Sequence, residues 1–172
     1  MLVLHPHPDF GGDRFNPVVD AIFRAAVAAG WAAIRFDFST SDAPLAVAEA
    51  EDALGRLPGA IPLAVAGYSF GGSIATQVLD PRIVQWVLVA PPLTLLPLST
   101  DAIAADPRPK LVLSPTEDQY CPPASAAEAT AGWTATSLEP VEGADHFLAG
   151  AARGVADRTT QTIQSTLDRS QR

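Results

Sequence analysis

Short runs rich in Val, Ile, Leu and Phe alternate with Ala-rich segments whose apolar positions recur at helical spacing. This is the pattern of βα units feeding a mostly parallel sheet. Leu2–His5 reads as the first strand, and a turn at Gly11-Gly12 leads to a helix over Pro17–Ala29. Pro17 sits where a first helical turn tolerates it, and Gly30 supplies the stop. Trp31–Phe38 is the second strand. Ala46–Leu57 is a helix with Val47, Ala50 and Leu54 on one face, ending at Pro58-Gly59. Pro62–Tyr68 is apolar enough for a strand buried on both sides, and Phe70–Leu79 is a helix with Ile74 and Val78 facing inward. Val84–Ala90, Lys110–Ser114 and Thr134–Val141 follow as strands four to six. Prolines 91, 92 and 97 mark a rigid loop after the fourth strand. Pro122–Ala131 and Ala156–Leu167 read as helices, with a short helical turn near Phe147. The expectation is one α/β domain over residues 1–172, a three-layer doubly wound arrangement with six strands and helices on both faces. In such sheets ligands bind at the carboxyl ends of the strands.

Composition narrows the function classes. Hydrophobic residues make up 48% of the 172 positions and charged residues 17%, which excludes a disordered chain. A formal net charge of −8 argues against nucleic acid as a partner, since phosphate binding needs clustered Lys and Arg. The single cysteine, Cys121, excludes an internal disulfide framework. With only His5, His7 and His146 besides, the chain offers little for a Cys- or His-rich metal centre. The opening run Met-Leu-Val-Leu is too short for a signal core, and no later stretch has the length of a membrane span. A cytoplasmic protein without membrane or nucleic-acid partners is expected, and no internal repeat is visible.

The candidate chemistry begins at Gly67-Tyr68-Ser69-Phe70-Gly71-Gly72. A strand-to-helix turn this sharp holds its central residue in a strained backbone and leaves the serine oxygen exposed above the sheet. The following helix start offers free N–H groups and a favourable dipole to a developing anion. A structural turn is the competing explanation for five such residues alone. Their position after a buried strand and before an amphipathic helix favours a nucleophile.

Three further loops extend the pattern: His5-Pro6-His7-Pro8 with Gly11-Gly12, Glu117-Asp118-Gln119-Tyr120-Cys121-Pro122, and Gly143-Ala144-Asp145-His146-Phe147-Leu148. With them the chain resembles the α/β-hydrolase superfamily across nearly its whole length. The first loop is similar to the HPHPxxGG form of the H-G-x-P oxyanion loop of small bacterial hydrolases. The second is similar to the acid loop, usually written with a D-x-x-V-P ending, and the third to the G-A-D-H-F histidine loop. The resemblance implies acyl transfer without a cofactor or metal. Ser69 would be the nucleophile, His146 the general base and then acid, and Asp118 the group that orients the imidazole. Glu117 and Asp145 are the rival acids; Asp145 adjoins the histidine and is poorly placed to reach its far nitrogen. The backbone N–H groups of Phe70 and His7 are the implied oxyanion donors.

The sequence also departs from the superfamily pattern. Two strands that usually precede the oxyanion loop are absent, so the expected sheet is a truncated α/β-hydrolase fold with Trp31–Phe38 at its edge. Such an edge calls either for self-association, as a homodimer, or for cover from the Ala46–Leu57 region. The segment between strands four and five is too short for a lid. Ser39-Thr40-Ser41-Asp42 lacks the glycine-rich pattern of many relatives, and Pro115 stands where glycine is common.

Other residues take blander assignments. His5 reads as a structural histidine tying its loop to nearby carbonyls. Cys121 reads as a buried apolar thiol, the three tryptophans as packing residues, and Asp13 with Arg14 as a solvated pair. Tyr68, Phe10 and Phe147 are candidates for the substrate pocket, and packing against the sheet is the alternative for Tyr68 and Phe70. The functional expectation is a nearly lidless serine hydrolase that cleaves small carboxylic esters through an acyl-enzyme. Thioester, amide and lactone cleavage share the tetrahedral intermediate and remain open. So does a non-catalytic binding protein that keeps the triad geometry.

Overall fold

The structure, a computed structural model, describes residues 1–59 and 61–170. Six strands form one sheet: β1 (Leu2–Leu4), β2 (Ile34–Arg35), β3 (Leu63–Tyr68), β4 (Ile83–Val89), β5 (Lys110–Pro115) and β6 (Thr136–Val141). Their spatial order is β2-β1-β3-β4-β5-β6, and every pair is parallel. The helices are α1 (Pro17–Ala28), α2 (Ala43–Gly55), α3 (Phe70–Ala75), α4 (Asp101–Ala105), α5 (Pro123–Ala129) and α6 (Ala152–Ser170).

Successive strand residues point to opposite faces, and here both faces are apolar, as a parallel sheet requires. Leu2, Leu4, Val65, Trp86, Leu88 and Val112 pack with α2, α3 and α5. Val3, Ala64, Ala66, Val87, Leu111 and Leu113 pack with Val19 and Ile22 of α1 and Val155 and Ile163 of α6. Most buried polar side chains are satisfied, although Ser73 Oγ and His7 Nδ1 meet no partner among the described residues. Gln85 of β4 donates to Thr162 at 3.0 Å and accepts from Thr166 at 2.7 Å, pinning α6 to the sheet. Lys110 is buried at the start of β5, where its ammonium donates to the carbonyls of Asp106, Arg108 and Thr134. Burial pushes its pKa below the usual lysine value.

The edges differ most from expectation. The eight-residue strand expected over Trp31–Phe38 shrinks to Ile34–Arg35, because its flanks bond elsewhere. Trp31 N–H closes the end of α1 on Ala26 O, and Phe38 N–H goes to a ring nitrogen of His5. What remains is too short to template much pairing, a common way of blunting an edge. Arg35 projects from it to Asp20 at 2.7 Å and lies over the ring of Phe23. Ala43, Ala46 and Ala50 of α2 pack in the same cluster as Ile34 and Phe36. At the opposite edge β6 carries Pro140, which an outer strand tolerates because proline has no N–H to give a neighbour.

Several helix bounds moved. α2 starts earlier than its apolar spacing suggested because Asp42 caps it, accepting from Leu45 N–H at 3.1 Å. α3 stops at Ala75 rather than Leu79, since Thr76, Gln77 and Val78 each bond three residues back, tightening the last turn. α4 was not expected at all; Ile103 is its single buried residue. Near Phe147 the short helical turn is a single one, closed by Leu148 N–H on Asp145 O at 3.1 Å. Among the described residues no helix is long and apolar enough to cross a membrane.

Candidate active site

β3 lies at the centre of the sheet with all six residues buried, and the chain reverses at its end into α3. Ser69 occupies that junction with φ 53° and ψ −120°, a conformation that L-residues adopt only under constraint. The constraint is steric closeness. A Cβ on Gly67 would stand 2.1 Å from Gly71 O, and one on Gly71 would stand 2.6 Å from His5 O. Both positions therefore need glycine for the strand, the turn and the neighbouring loop to meet. Ser69 N–H is itself occupied by Val89 O at 2.9 Å.

The loop after β5 brings Asp118, and the loop after β6 brings His146. Ser69 Oγ lies 2.8 Å from His146 Nε2, and His146 Nδ1 lies 2.9 Å from Asp118 Oδ2. All three residues are buried among their neighbours. Asp118 Oδ1 accepts from the backbone N–H of Tyr120 at 2.8 Å and of Cys121 at 3.1 Å. Burial opposes ionisation of this carboxyl. The hydrogen bond from His146 and the two from the backbone outweigh it and hold the pKa below the usual aspartate value. An ionised Asp118 fixes the proton of His146 on Nδ1, leaving Nε2 free to accept from the serine hydroxyl. Neither rival acid bonds the imidazole: Asp145 Oδ1 accepts from Phe147 N–H, and Glu117 is exposed.

The third loop, between β1 and α1, docks directly on the elbow. Gly71 N–H donates to His5 O at 3.1 Å, and Gly12 N–H and Phe10 N–H both fold back onto His7 O. His5 itself is locked in one neutral tautomer. Its Nδ1 donates to Pro6 O at 2.6 Å, while its Nε2 accepts from Phe38 N–H at 2.8 Å. Burial lowers its pKa, with Asp37, Asp13 and Glu49 opposing from a distance. Among the described residues, the backbone N–H groups of Phe70 and His7 meet no acceptor. The His7 ring packs against Phe10 and Phe70 at centroid distances of 4.7 and 5.0 Å.

A cavity of about 520 Å³ opens over Ser69. Its lining includes the expected Phe10, Tyr68 and Phe147 together with Leu95, Leu96 and Tyr120, which sequence reasoning did not single out. Among the described residues no Asp, Glu, Lys or Arg lines it. The one sequence signal for Tyr120 was its place inside the acid loop; Leu95 and Leu96 lie within the proline-rich loop. Tyr68 contributes more than a wall: its hydroxyl donates to the backbone carbonyl of His146 at 2.8 Å in a buried setting. Burial, helped by the negative charges of Asp118 and Asp145, pushes its pKa far up, so the phenol remains a donor. Cys121 is buried with its thiol pKa raised by burial. Among the described residues no group of His, Cys, Asp and Glu is arranged to hold a metal ion.

The same architecture recurs in solved structures. A protein of unknown function from Agrobacterium tumefaciens, described as an α/β hydrolase, superposes with a TM-score of 0.86 at 24% identity, over 97% of this chain and 84% of that one. The fold is an α/β-hydrolase fold. A lidless α/β serine hydrolase from Xanthomonas campestris superposes with a TM-score of 0.76 at 21% identity, over 98% of this chain and 80% of that one. An uncharacterized protein of Rickettsia prowazekii is 30% identical over 132 residues. That match takes in 68% of this chain and 56% of the relative, so the chain spans little more than half of the relative's length. No protein-family profile matches the chain. Within this α/β-hydrolase fold, Ser69, Asp118 and His146 stand at the carboxyl ends of β3, β5 and β6, where the doubly wound topology places ligands.

Proposed function

We propose that the chain is a serine hydrolase that cleaves small carboxylic esters through an acyl-enzyme. The observation that carries this reading is the continuous relay from Ser69 Oγ through His146 to Asp118, mounted on a strained turn. Ser69 Oγ attacks the ester carbonyl as its proton passes to His146 Nε2, giving a tetrahedral oxyanion and an imidazolium beside the Asp118 carboxylate. The N–H groups of Phe70 and His7 receive the oxyanion; each such donor is worth roughly 2.7–4 kcal/mol in comparable sites. His146 then protonates the alkoxy oxygen as its C–O bond breaks, and the alcohol leaves. Water, deprotonated by the same nitrogen, attacks the acyl-enzyme, and collapse returns the proton to Ser69 and releases the acid.

The open mouth supports short or accessible acyl groups. The lack of any Lys or Arg in the lining among the described residues supports esters over coenzyme A thioesters, whose phosphates would meet no countercharge there. The test is labelling with a fluorophosphonate probe, run beside a panel of esters, thioesters and amides. Wild type should be labelled and should turn over acetate and butyrate esters faster than long-chain ones; Ser69→Ala should do neither. A folded wild-type protein that stays unlabelled and hydrolyses none of the panel would overturn the reading in favour of a binding protein that keeps the geometry without turnover.

A further inference from the structure

The proton that His146 returns to the substrate says where the alcohol half of an ester must lie. The leaving oxygen has to come within hydrogen-bond reach of His146 Nε2, so the first atoms of the alcohol stand beside the imidazole. Two aromatic rings flank that imidazole edge-on: Tyr120 at a centroid distance of 4.6 Å and Phe147 at 5.9 Å. Both line the cavity, and they remain 46% and 64% exposed, so their ring surfaces are open to a ligand in the cavity. Neither is on a loose tether. Tyr120 N–H is held by the triad carboxylate of Asp118, and Phe147 N–H by Asp145 Oδ1 at 3.0 Å. Among the described residues no Asp, Glu, Lys or Arg shares the cavity with them.

On the ester-hydrolase reading above, we infer that the alcohol half of the substrate is an uncharged aromatic group, held by Tyr120 and Phe147 on the His146 side of the cavity. Ring-to-ring contacts add to area burial through the opposed charge of ring face and edge, and each pair is worth about 2- to 12-fold in binding. A saturated ring of the same size gains the burial without that addition. A charged alcohol would lose hydration with no partner to replace it. Tyr120 and Phe147 are thus specificity-determining residues for the leaving group, and they have no part in deacylation, because the alcohol has left by then.

The experiment compares benzyl acetate with cyclohexylmethyl acetate, which share the acyl group and the size of the alcohol. Each kcat/KM is divided by the ester's rate in hydroxide, which removes intrinsic reactivity. Wild type should prefer the benzyl ester about 5- to 50-fold. Tyr120→Leu and Phe147→Leu should each cut that ratio several-fold, and Tyr120→Phe should keep it. The ratio is the readout because general damage to the site lowers both rates together. A wild-type ratio near one, or a ratio unmoved in both leucine variants, overturns the inference while leaving the ester-hydrolase reading intact. Absence of turnover on both esters together with absence of fluorophosphonate labelling overturns both.

Discussion

The bond between Tyr68 and the backbone of His146 gives a sharp test of how the imidazole is held. Tyr68→Phe removes one oxygen and leaves the ring, so the packing of β3 against its face is nearly preserved. The loss falls on the carbonyl of His146, which among the described residues accepts from no other group. A buried carbonyl deprived of its donor costs about 1–3 kcal/mol. With an m-value of roughly 1–3 kcal/mol/M for a chain of this size, the urea midpoint should fall by about 1 M. The same change frees the loop that carries His146, the general base on the proposed reading. Misplacement of a reacting group by about 1 Å can cost on the order of 10²-fold in rate, so kcat on an acetate ester should drop about 10- to 100-fold. Fluorophosphonate labelling of Ser69 should slow in parallel, since it needs the same nitrogen. Urea melts monitored by tryptophan fluorescence and initial-rate assays on the same preparations suffice. A Tyr68→Phe protein with the wild-type midpoint and the wild-type kcat would refute the claim that this hydroxyl positions His146.

Three further outcomes follow from the geometry. Gly71→Ala forces a Cβ onto the backbone of Leu4 and His5 at 2.6 Å; overpacking of this kind costs about 1–3 kcal/mol, and a larger fall in kcat than in the urea midpoint is expected as the loop of His5 and His7, the proposed oxyanion loop, is pushed off the elbow. Ser69→Gly and Ser69→Ala should both be inactive, but the glycine variant should be the more stable by about 1 kcal/mol or more, because only glycine relaxes at φ 53°; equal midpoints would mean the turn stores no strain. The folded-state pKa of Asp118 is depressed, so its contribution to stability is complete above the ordinary carboxylate value of about 3.9 and is lost as pH falls through the lower folded-state value. The wild-type midpoint should therefore drop further between pH 5 and pH 3 than that of Asp118→Asn, and parallel drops would contradict the assignment.

The central strands were legible because burial on both faces leaves mostly apolar residues there, with Gln85 and Lys110 among the polar exceptions: β3 and β5 begin or end within a residue of the expected runs. The edge strand was not, since Trp31–Phe38 carries enough aromatic and apolar residues to read as a strand throughout, while its backbone is diverted by Ala26 and His5, partners that no local pattern reveals. α4 escaped notice because a five-residue helix with one buried side chain carries no periodicity. At the site, Ser69, Asp118 and His146 each sit in a short loop with a recognisable local pattern, and the fold brings them together. Only part of the wall announced itself: Phe10, Tyr68 and Phe147 were legible beside the motifs, whereas Leu95, Leu96 and Tyr120 join them only through the convergence of separate loops. The partner of the Tyr68 hydroxyl lies 78 residues downstream, beyond anything that strand alternation encodes.

Cys121 is the one thiol in the chain, and it sits beneath the segment that holds Asp118. Its N–H binds that carboxylate, its carbonyl accepts from Ser114 Oγ at 3.0 Å, and its sulfur is packed into the apolar layer. A bulky maleimide can reach the sulfur only when this stretch detaches from the sheet. Nature has thus installed a chemical clock in the unmodified polypeptide. The rate at which the thiol is captured counts how often the acid-bearing segment lifts away, and a covalently trapped Ser69 adduct that steadies His146 and Asp118 should make the clock run slower.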